Sequence, residues 1–337
     1  MNTKTTRRDF LATSVLAAGG LSAGWNAFGL HSVREPVPGA GPEKRVATSR
    51  AGDGAAGRVC VFSKHLHWLD YPGLAAAAAE VGFDGIDLTV RPGGHVLPER
   101  VATDLPKAVA AVRKAGLQVY MLTTAITDAD QPHTEAILKT AGGLGIGYYR
   151  TGWLSYQADQ SIPQNLETFR VRLGKLAELN QRHAIHGAYQ NHAGTGMGAA
   201  LWDLWTVLKD LDPRWMGCQY DARHATVEGG NSWPLGLNLL QSHIRTTDIK
   251  DFVWAKKDGK WQEEDVPLGT GMVDFRKYFG LIKQYGIQGP VSLHYEYPLG
   301  GAEHGDREVT MKRDEIIRIM KNDLTTLRTW LREAGLE

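Results

Sequence analysis

From Arg58 onward, short apolar runs alternate with stretches whose apolar residues recur every three or four positions, the signatures of buried strands and amphipathic helices. The strand-like runs are RVCVFS (58–63), GIDLTV (85–90), LQVYMLT (117–123), IGYYRTG (146–152), IHGAYQN (185–191), MGCQYD (216–221), IRTTDIK (244–250) and PVSLHYE (290–296). Between them, YPGLAAAAAEVG, DLPKAVAAVRKAG, NLETFRVRLGKLAELNQRH and DFRKYFGLIKQYG have helical spacing, several ending at Gly as helix C-termini commonly do. A last helix is predicted from about Lys312 to Glu333.

Eight strand–helix units in about 280 residues have the size and rhythm of a (β/α)8 TIM barrel, an α/β fold. A doubly wound open sheet shares the alternation. Against it, no G-x-G-x-x-G follows the first strand, and PGGHV after the second is not that motif. A barrel carries its chemistry at the C-terminal ends of the strands and in the loops that follow.

The first 57 residues do not share this rhythm. Arg7 and Arg8 precede a weakly apolar segment diluted by Gly19, Gly20, Ser22 and Gly24, so residues 1–30 resemble a Tat-type export signal and the protein is expected to be periplasmic or otherwise exported. Residues 31–57 are rich in Pro, Gly and Ala without an apolar period and read as a flexible linker, leaving 58–337 as a single barrel domain. No later segment is long and apolar enough to span a membrane, so no membrane association is expected after signal cleavage.

Composition narrows the partners. The chain is 42% hydrophobic and 22% charged with a formal net charge of +1, which gives no reason to expect nucleic acid and leaves small molecules open. The two cysteines, Cys60 and Cys218, lie in separate apolar runs and read as buried thiols. Nothing in the sequence signals an oligomeric state.

Polar residues gather at the predicted strand ends. Residues i and i+2 of a strand share a face, which pairs Gln190 with His192, Asp248 with Lys250 and His294 with Glu296; Asp221 ends the sixth strand and His224 follows. The earlier strand ends add Lys64, His65, Asp87, Arg91 with His95, and Arg150. Any one of these could be a loop cap or a salt-bridge partner. Four successive strands ending in such groups on matching faces argue for one buried polar centre, where charges must pair or bind a cation. Neighbouring strand residues alternate, so Lys64 and His65 are not both expected to face inward.

GFDGIDLTV, YDARHATVEGG and above all VPLGTGMVDFRKYFGLIKQYGIQGPVSLHYEY resemble the sugar phosphate isomerase/epimerase family of xylose-isomerase-like TIM barrels, which also includes the endonuclease IV type. The resemblance runs from Arg58 to the C-terminus, and KDFVW with HYEYPLGG further resembles an exported branch of TIM-barrel proteins. It implies one divalent metal held by Glu, Asp, His and Glu on strands five to eight, the two Glu also moving protons. By motif those positions are Gln190, Asp221, Asp248 and His294, of which only Asp221 is unchanged. Such a set suits Mn or Mg, with His tolerating Zn or Co, and Glu296 could replace Gln190 as a ligand.

Gln190 cannot act as a base, so the two-glutamate arrangement is absent. The remaining proton-transfer candidates are Glu296, His192, His224 and Lys250, and the expected chemistry is metal-assisted removal of a proton next to the carbonyl of a keto sugar or keto-glycoside. That step serves an isomerase or epimerase, or a lyase or hydratase. Lys64, Asp87, Arg91, His95, Arg150 and Trp254 are the expected contacts to a small carbohydrate. The replaced glutamates equally allow an exported sugar-binding protein without catalysis. An endonuclease IV-like site would need three metals and more histidines than this chain places at its strand ends.

Overall fold

A computed structural model describes residues 57–337; the export-signal segment and nearly all of the linker, residues 1–56, lie outside the described residues. All eight predicted strands are present: β1 (Val59–Phe62), β2 (Gly85–Val90), β3 (Gln118–Thr124), β4 (Tyr148–Arg150), β5 (His186–Gln190), β6 (Met216–Asp221) and β7 (Ile244–Ile249), with the eighth numbered β10 (Val291–Leu293) because a hairpin, β8 (Asp251–Lys257) and β9 (Lys260–Val266), intervenes. They close into a barrel in the order β1-β10-β7-β6-β5-β4-β3-β2, every pair parallel. Strands β1, β2, β5 and β6 are buried along their whole length, because helices cover one face and the barrel interior the other.

The helices are α1 (Tyr71–Val81), α2 (Val101–Lys114), α3 (Thr134–Gly143), α4 (Ile162–Arg182), α5 (Leu201–Leu208), α6 (Ala222–Gly229), α7 (Trp233–Leu240), α8 (Phe275–Gln284) and α9 (Arg313–Ala334). Their starts follow the local chemistry. Asp70 caps α1 by accepting from the Gly73 N–H at 2.8 Å, and Asp274 caps α8 through Lys277 N–H at 3.0 Å. Asp221 caps α6 in the same way, through His224 N–H at 3.0 Å, so a strand-end carboxylate also fixes the helix that follows it. No helix of the described residues is long and apolar enough to cross a membrane.

The hairpin is an element that the apolar rhythm does not announce, since β9 is exposed or half-buried along its length. Its sequence signal is the Asp258-Gly259 turn, whose residues sit at φ 50° and 78°, the left-handed pair that a two-residue hairpin favours.

Asp323 on α9 anchors the loop after β10: it accepts from Tyr297 Oη at 2.8 Å and from Leu268 N–H at 3.4 Å, and it is 4% exposed. Burial pushes its carboxyl up to about 6. The folded state therefore holds a proton that the unfolded chain releases near pH 4, and this contribution, about 3 kcal/mol, is complete below that pH and is lost as the pH rises through about 6. Denaturant titrations from pH 4.5 to 7 should show wild type losing stability relative to Asp323→Asn; parallel profiles would contradict the assignment.

Candidate active site

The inward residues of the barrel strands build a polar core below the mouth. Asp87 on β2 accepts Oγ1–H of Thr123 at 2.9 Å and Oγ–H of Ser292 at 2.8 Å. Asp248 on β7 accepts the Gln219 amide at 2.6 Å, and Gln219 in turn accepts from the Thr246 hydroxyl at 3.1 Å. Gln190 on β5 turns its NH2 toward both Asp221, at 2.9 Å, and Asp248, at 2.5 Å. Arg150 donates to Gln190 Oε1 at 2.7 Å, and a guanidinium can only donate, so the amide oxygen must face Arg150 and the NH2 the carboxylates.

Charged groups close the core. Lys250 Nζ lies 3.3 Å from Asp221 Oδ2, and Asn191 clamps the same residue by accepting its backbone N–H at 2.7 Å. Burial alone would lower the Lys250 pKa, but Asp221 and Glu296 outweigh it and hold the ammonium above its ordinary value. His294 sits 3.2 Å from Asp248 Oδ1 and 3.5 Å from Glu296 Oε1, yet neither ring nitrogen has a well-directed hydrogen bond. Its burial favours the neutral ring, and Asp248 with Glu296 reverses that and raises its pKa.

Glu296 lies nearer the mouth, bound to Lys64 Nζ at 2.6 Å. Burial works against its charge, but His294, Lys250, His65 and Lys64 overcome it and keep the carboxylate ionised far below the usual range. Lys64 itself is lowered, by burial first and against the pull of Glu296. His192 and His224 stand beside Lys250 with ring centroids 3.9 Å apart, and burial, then Lys250, holds both toward the neutral form.

Most sequence-predicted residues therefore meet: Gln190, Asp221, Asp248, His294, Glu296, Lys250, Lys64, His192, His224, Asp87, Arg91 and Arg150 surround one barrel mouth. Two do not join them. His95 is tied into the scaffold below the loop after β2, its ring beside Ser63 Oγ and Leu66 O, each at 3.2 Å, and its backbone N–H on Thr89 at 2.9 Å. Trp254 is 39% exposed on the hairpin, edge-on to Phe252, with no hydrogen bond or ring contact to the core among the described residues. Trp153 is the indole at the site, 4.8 Å from the Arg150 guanidinium and 4.9 Å from the His192 ring.

Phe62 and Gln219 are not among the residues that the sequence pattern points to. Phe62 stacks on His294 at 4.4 Å and floors the mouth, but an aromatic ending an apolar run looks like core. Gln219 could have been found, because it lies two positions before Asp221 on one strand face. Lys64 and His65 both turn to the site because β1 stops at Phe62 and residues Ser63–Leu66 form a 3-10 turn, where strand alternation no longer applies. His65 Nε2 accepts the Tyr295 N–H at 3.0 Å and so positions the segment carrying Glu296.

The donor set can be tested for a metal. Asp87, Asp248 and His294 are buried and offer ligand atoms all within 4.8 Å of one another, and they could hold a divalent ion. The unbonded His294 nitrogens are the orphaned polar atoms such an ion would satisfy, with metal and proton competing for one lone pair. The four-residue set expected from the motif does not assemble in the same way: the Gln190 NH2 has no lone pair to offer a cation and instead gives one N–H to each carboxylate.

A closed eight-stranded barrel with its buried polar centre at the strand C-termini defines the class of protein. The chain matches the xylose isomerase-like TIM barrel family over residues 75–316 and belongs to it. No match is found among curated proteins. Among solved structures, the zinc-bound IolI protein is 16% identical with a TM-score of 0.63, covering 80% of this chain and 97% of its own. The 3-keto-D-glucoside 4-epimerase YcjR of E. coli is 14% identical with a TM-score of 0.58, covering 81% of this chain and 99% of its own. The probable 3-DHS dehydratase AsbF of Bacillus anthracis is 15% identical with a TM-score of 0.60, covering 80% and 98%. At these identities the likeness is one of fold.

Proposed function

We propose that the chain is a metal-dependent enzyme that removes the proton next to the carbonyl of a keto sugar or keto-glycoside, either returning it, as an isomerase or epimerase does, or losing or adding a neighbouring group, as a lyase or hydratase does. One observation carries the reading. Of the carboxylates at the mouth, Asp221 and Asp248 have fully buried side chains and Asp87 is 0% exposed, whereas the Glu296 side chain is 22% exposed. Glu296 is the carboxylate a substrate can reach, and a single reachable base suits one proton abstraction better than a two-base exchange.

Each neighbour then has a task. Lys64 leaves Glu296 for an oxygen of the incoming substrate, which frees the carboxylate to accept a proton. Lys250, held as an ammonium by Asp221 and Glu296, stabilises the oxyanion that develops. His192 and His224, both favoured as neutral imidazoles, take up or return a second proton. A divalent ion on Asp87, Asp248 and His294, of the Mn, Mg, Co or Zn type, would polarise the carbonyl. Relatives by fold named for a 3-keto-glucoside epimerase and a 3-DHS dehydratase lend support, one for each outcome of such a step. Export through the segment at Arg7 and Arg8 is part of the proposal and independent of the chemistry.

Gln190 favours a second reading, an exported sugar-binding protein, because its amide sits where relatives are expected to keep a carboxylate base. Metal analysis separates the two. The purified chain should contain a divalent ion, and chelation should abolish turnover of ketoses or 3-keto-glycosides, with recovery on adding metal back. Sugar binding unchanged by complete metal removal, in a protein that turns nothing over beforehand, would favour the binding protein.

A further inference from the structure

The barrel mouth holds the cations Lys64, Arg91, Arg150 and Lys250 and the carboxylates Asp87, Asp221, Asp248 and Glu296, equal in number but not matched in pairs. Lys64 is bound to Glu296 and Lys250 to Asp221. Asp87 is occupied by two hydroxyls, and Asp248 by two amides and His294. The two arginines are left over.

Arg150 is 3% exposed, gives one bond to Gln190, and has a buried Nε without a partner among the described residues. Arg91 is half-buried just after β2; its guanidinium makes no hydrogen bond or ion pair among the described residues, and Asp87 and Glu296 act on it only from beyond ion-pair distance. Burial, followed by the charge of Arg150, lowers Arg91 to about 10. Both guanidiniums lie 5.5 Å from the centroid of the Phe62 ring. A ring face is worth about 0.5–2 kcal/mol to a cation, less than the several kcal/mol that desolvating an ion costs. The balance calls for an anion that the protein does not itself supply.

We propose that the ligand of this site carries a carboxylate, gripped between Arg91 and Arg150 above Phe62, and that the substrate is a sugar acid rather than a neutral sugar. This rests on the reading of the mouth as a sugar site and names the substrate class. Paired guanidinium forks match a planar carboxylate. A phosphate in a TIM barrel is more often held by the loops after the last two strands and a helix N-terminus, whereas Arg91 follows β2 and Arg150 ends β4. A divalent ion on Asp87, Asp248 and His294 would offset the charge of those two carboxylates and leave the mouth with an excess of positive charge.

Calorimetric titration of the full-length protein with D-glucuronate, D-glucose and inorganic phosphate tests this. Glucuronate should bind about 10- to 100-fold more tightly than glucose, the worth of a charge-assisted grip. Arg91→Ala should erase that preference, and Arg91→Lys should restore part of it. Glucuronate binding no better than glucose, an unaltered preference in Arg91→Ala, or phosphate binding where glucuronate does not would each overturn the proposal. Turnover does not enter the experiment. A protein that prefers glucuronate yet catalyses nothing would overturn the reaction and leave the carboxylate site standing. One that turns over neutral ketoses and binds them as tightly as acids would overturn the carboxylate site alone.

Discussion

Glu296→Gln should reduce turnover by about 10²–10⁴-fold, the usual worth of a positioned base, while leaving the metal content of the protein unchanged. The amide keeps the shape of the side chain and an oxygen for Lys64, which lies 2.6 Å from the carboxylate in the native protein. It loses the negative charge and with it the ability to accept a proton. Metal content should survive because Glu296 is not among Asp87, Asp248 and His294, the residues close enough to share an ion. Steady-state rates and elemental analysis of the same preparation check both halves. Activity within a few-fold of wild type would remove Glu296 as the base, and loss of metal would make it a ligand.

Asp248→Ala should cost about 3–5 kcal/mol of folding stability, the expected penalty for removing one side of a buried charged network. Asp248 is 0% exposed and receives the amides of Gln190 and Gln219 while facing His294 at 3.2 Å. Alanine would leave two amide N–H groups without their acceptor and a buried imidazole without its neighbouring charge, along with a small cavity. Chemical denaturation should show a lower midpoint at an unchanged slope, and the variant should bind no divalent ion. A loss below about 1 kcal/mol would mean that the network relaxes around the gap and that Asp248 does not organise it.

The barrel was legible because both periodicities of the chain survive in the structure: every predicted strand lies in the closed sheet. The membership of the site was legible for the same reason, since His294 with Glu296 and Asp248 with Lys250 lie two positions apart at strand ends that closure brings to one mouth. Which group pairs with which was not. Lys64 meets Glu296 across 232 positions of sequence, and Arg150 reaches Gln190 only because β4 pairs with β5. Such pairings depend on barrel register and side-chain reach, which no local pattern encodes. Asp87 illustrates the cost: as an isolated acid at a strand end it reads as a substrate contact, whereas the closed barrel sets it beside Asp248 and His294 in the group that could hold a metal.

The pairing of His294 with Glu296 lies at the centre of the account, one residue buried toward Asp248 and the other turned to the mouth with Lys64. Proton exchange measures its chemistry most directly. A panel of ketoses and 3-keto-glycosides, with and without a carboxylate, is incubated with the full-length protein in heavy water, and deuterium is located in recovered substrate and product. The account predicts deuterium, or loss of the original hydrogen, at the carbon next to the carbonyl, and exchange slowed by about 10²–10⁴-fold with Glu296→Gln. Substrate recovered without exchange across the panel, from a protein that nevertheless binds it, would contradict the account.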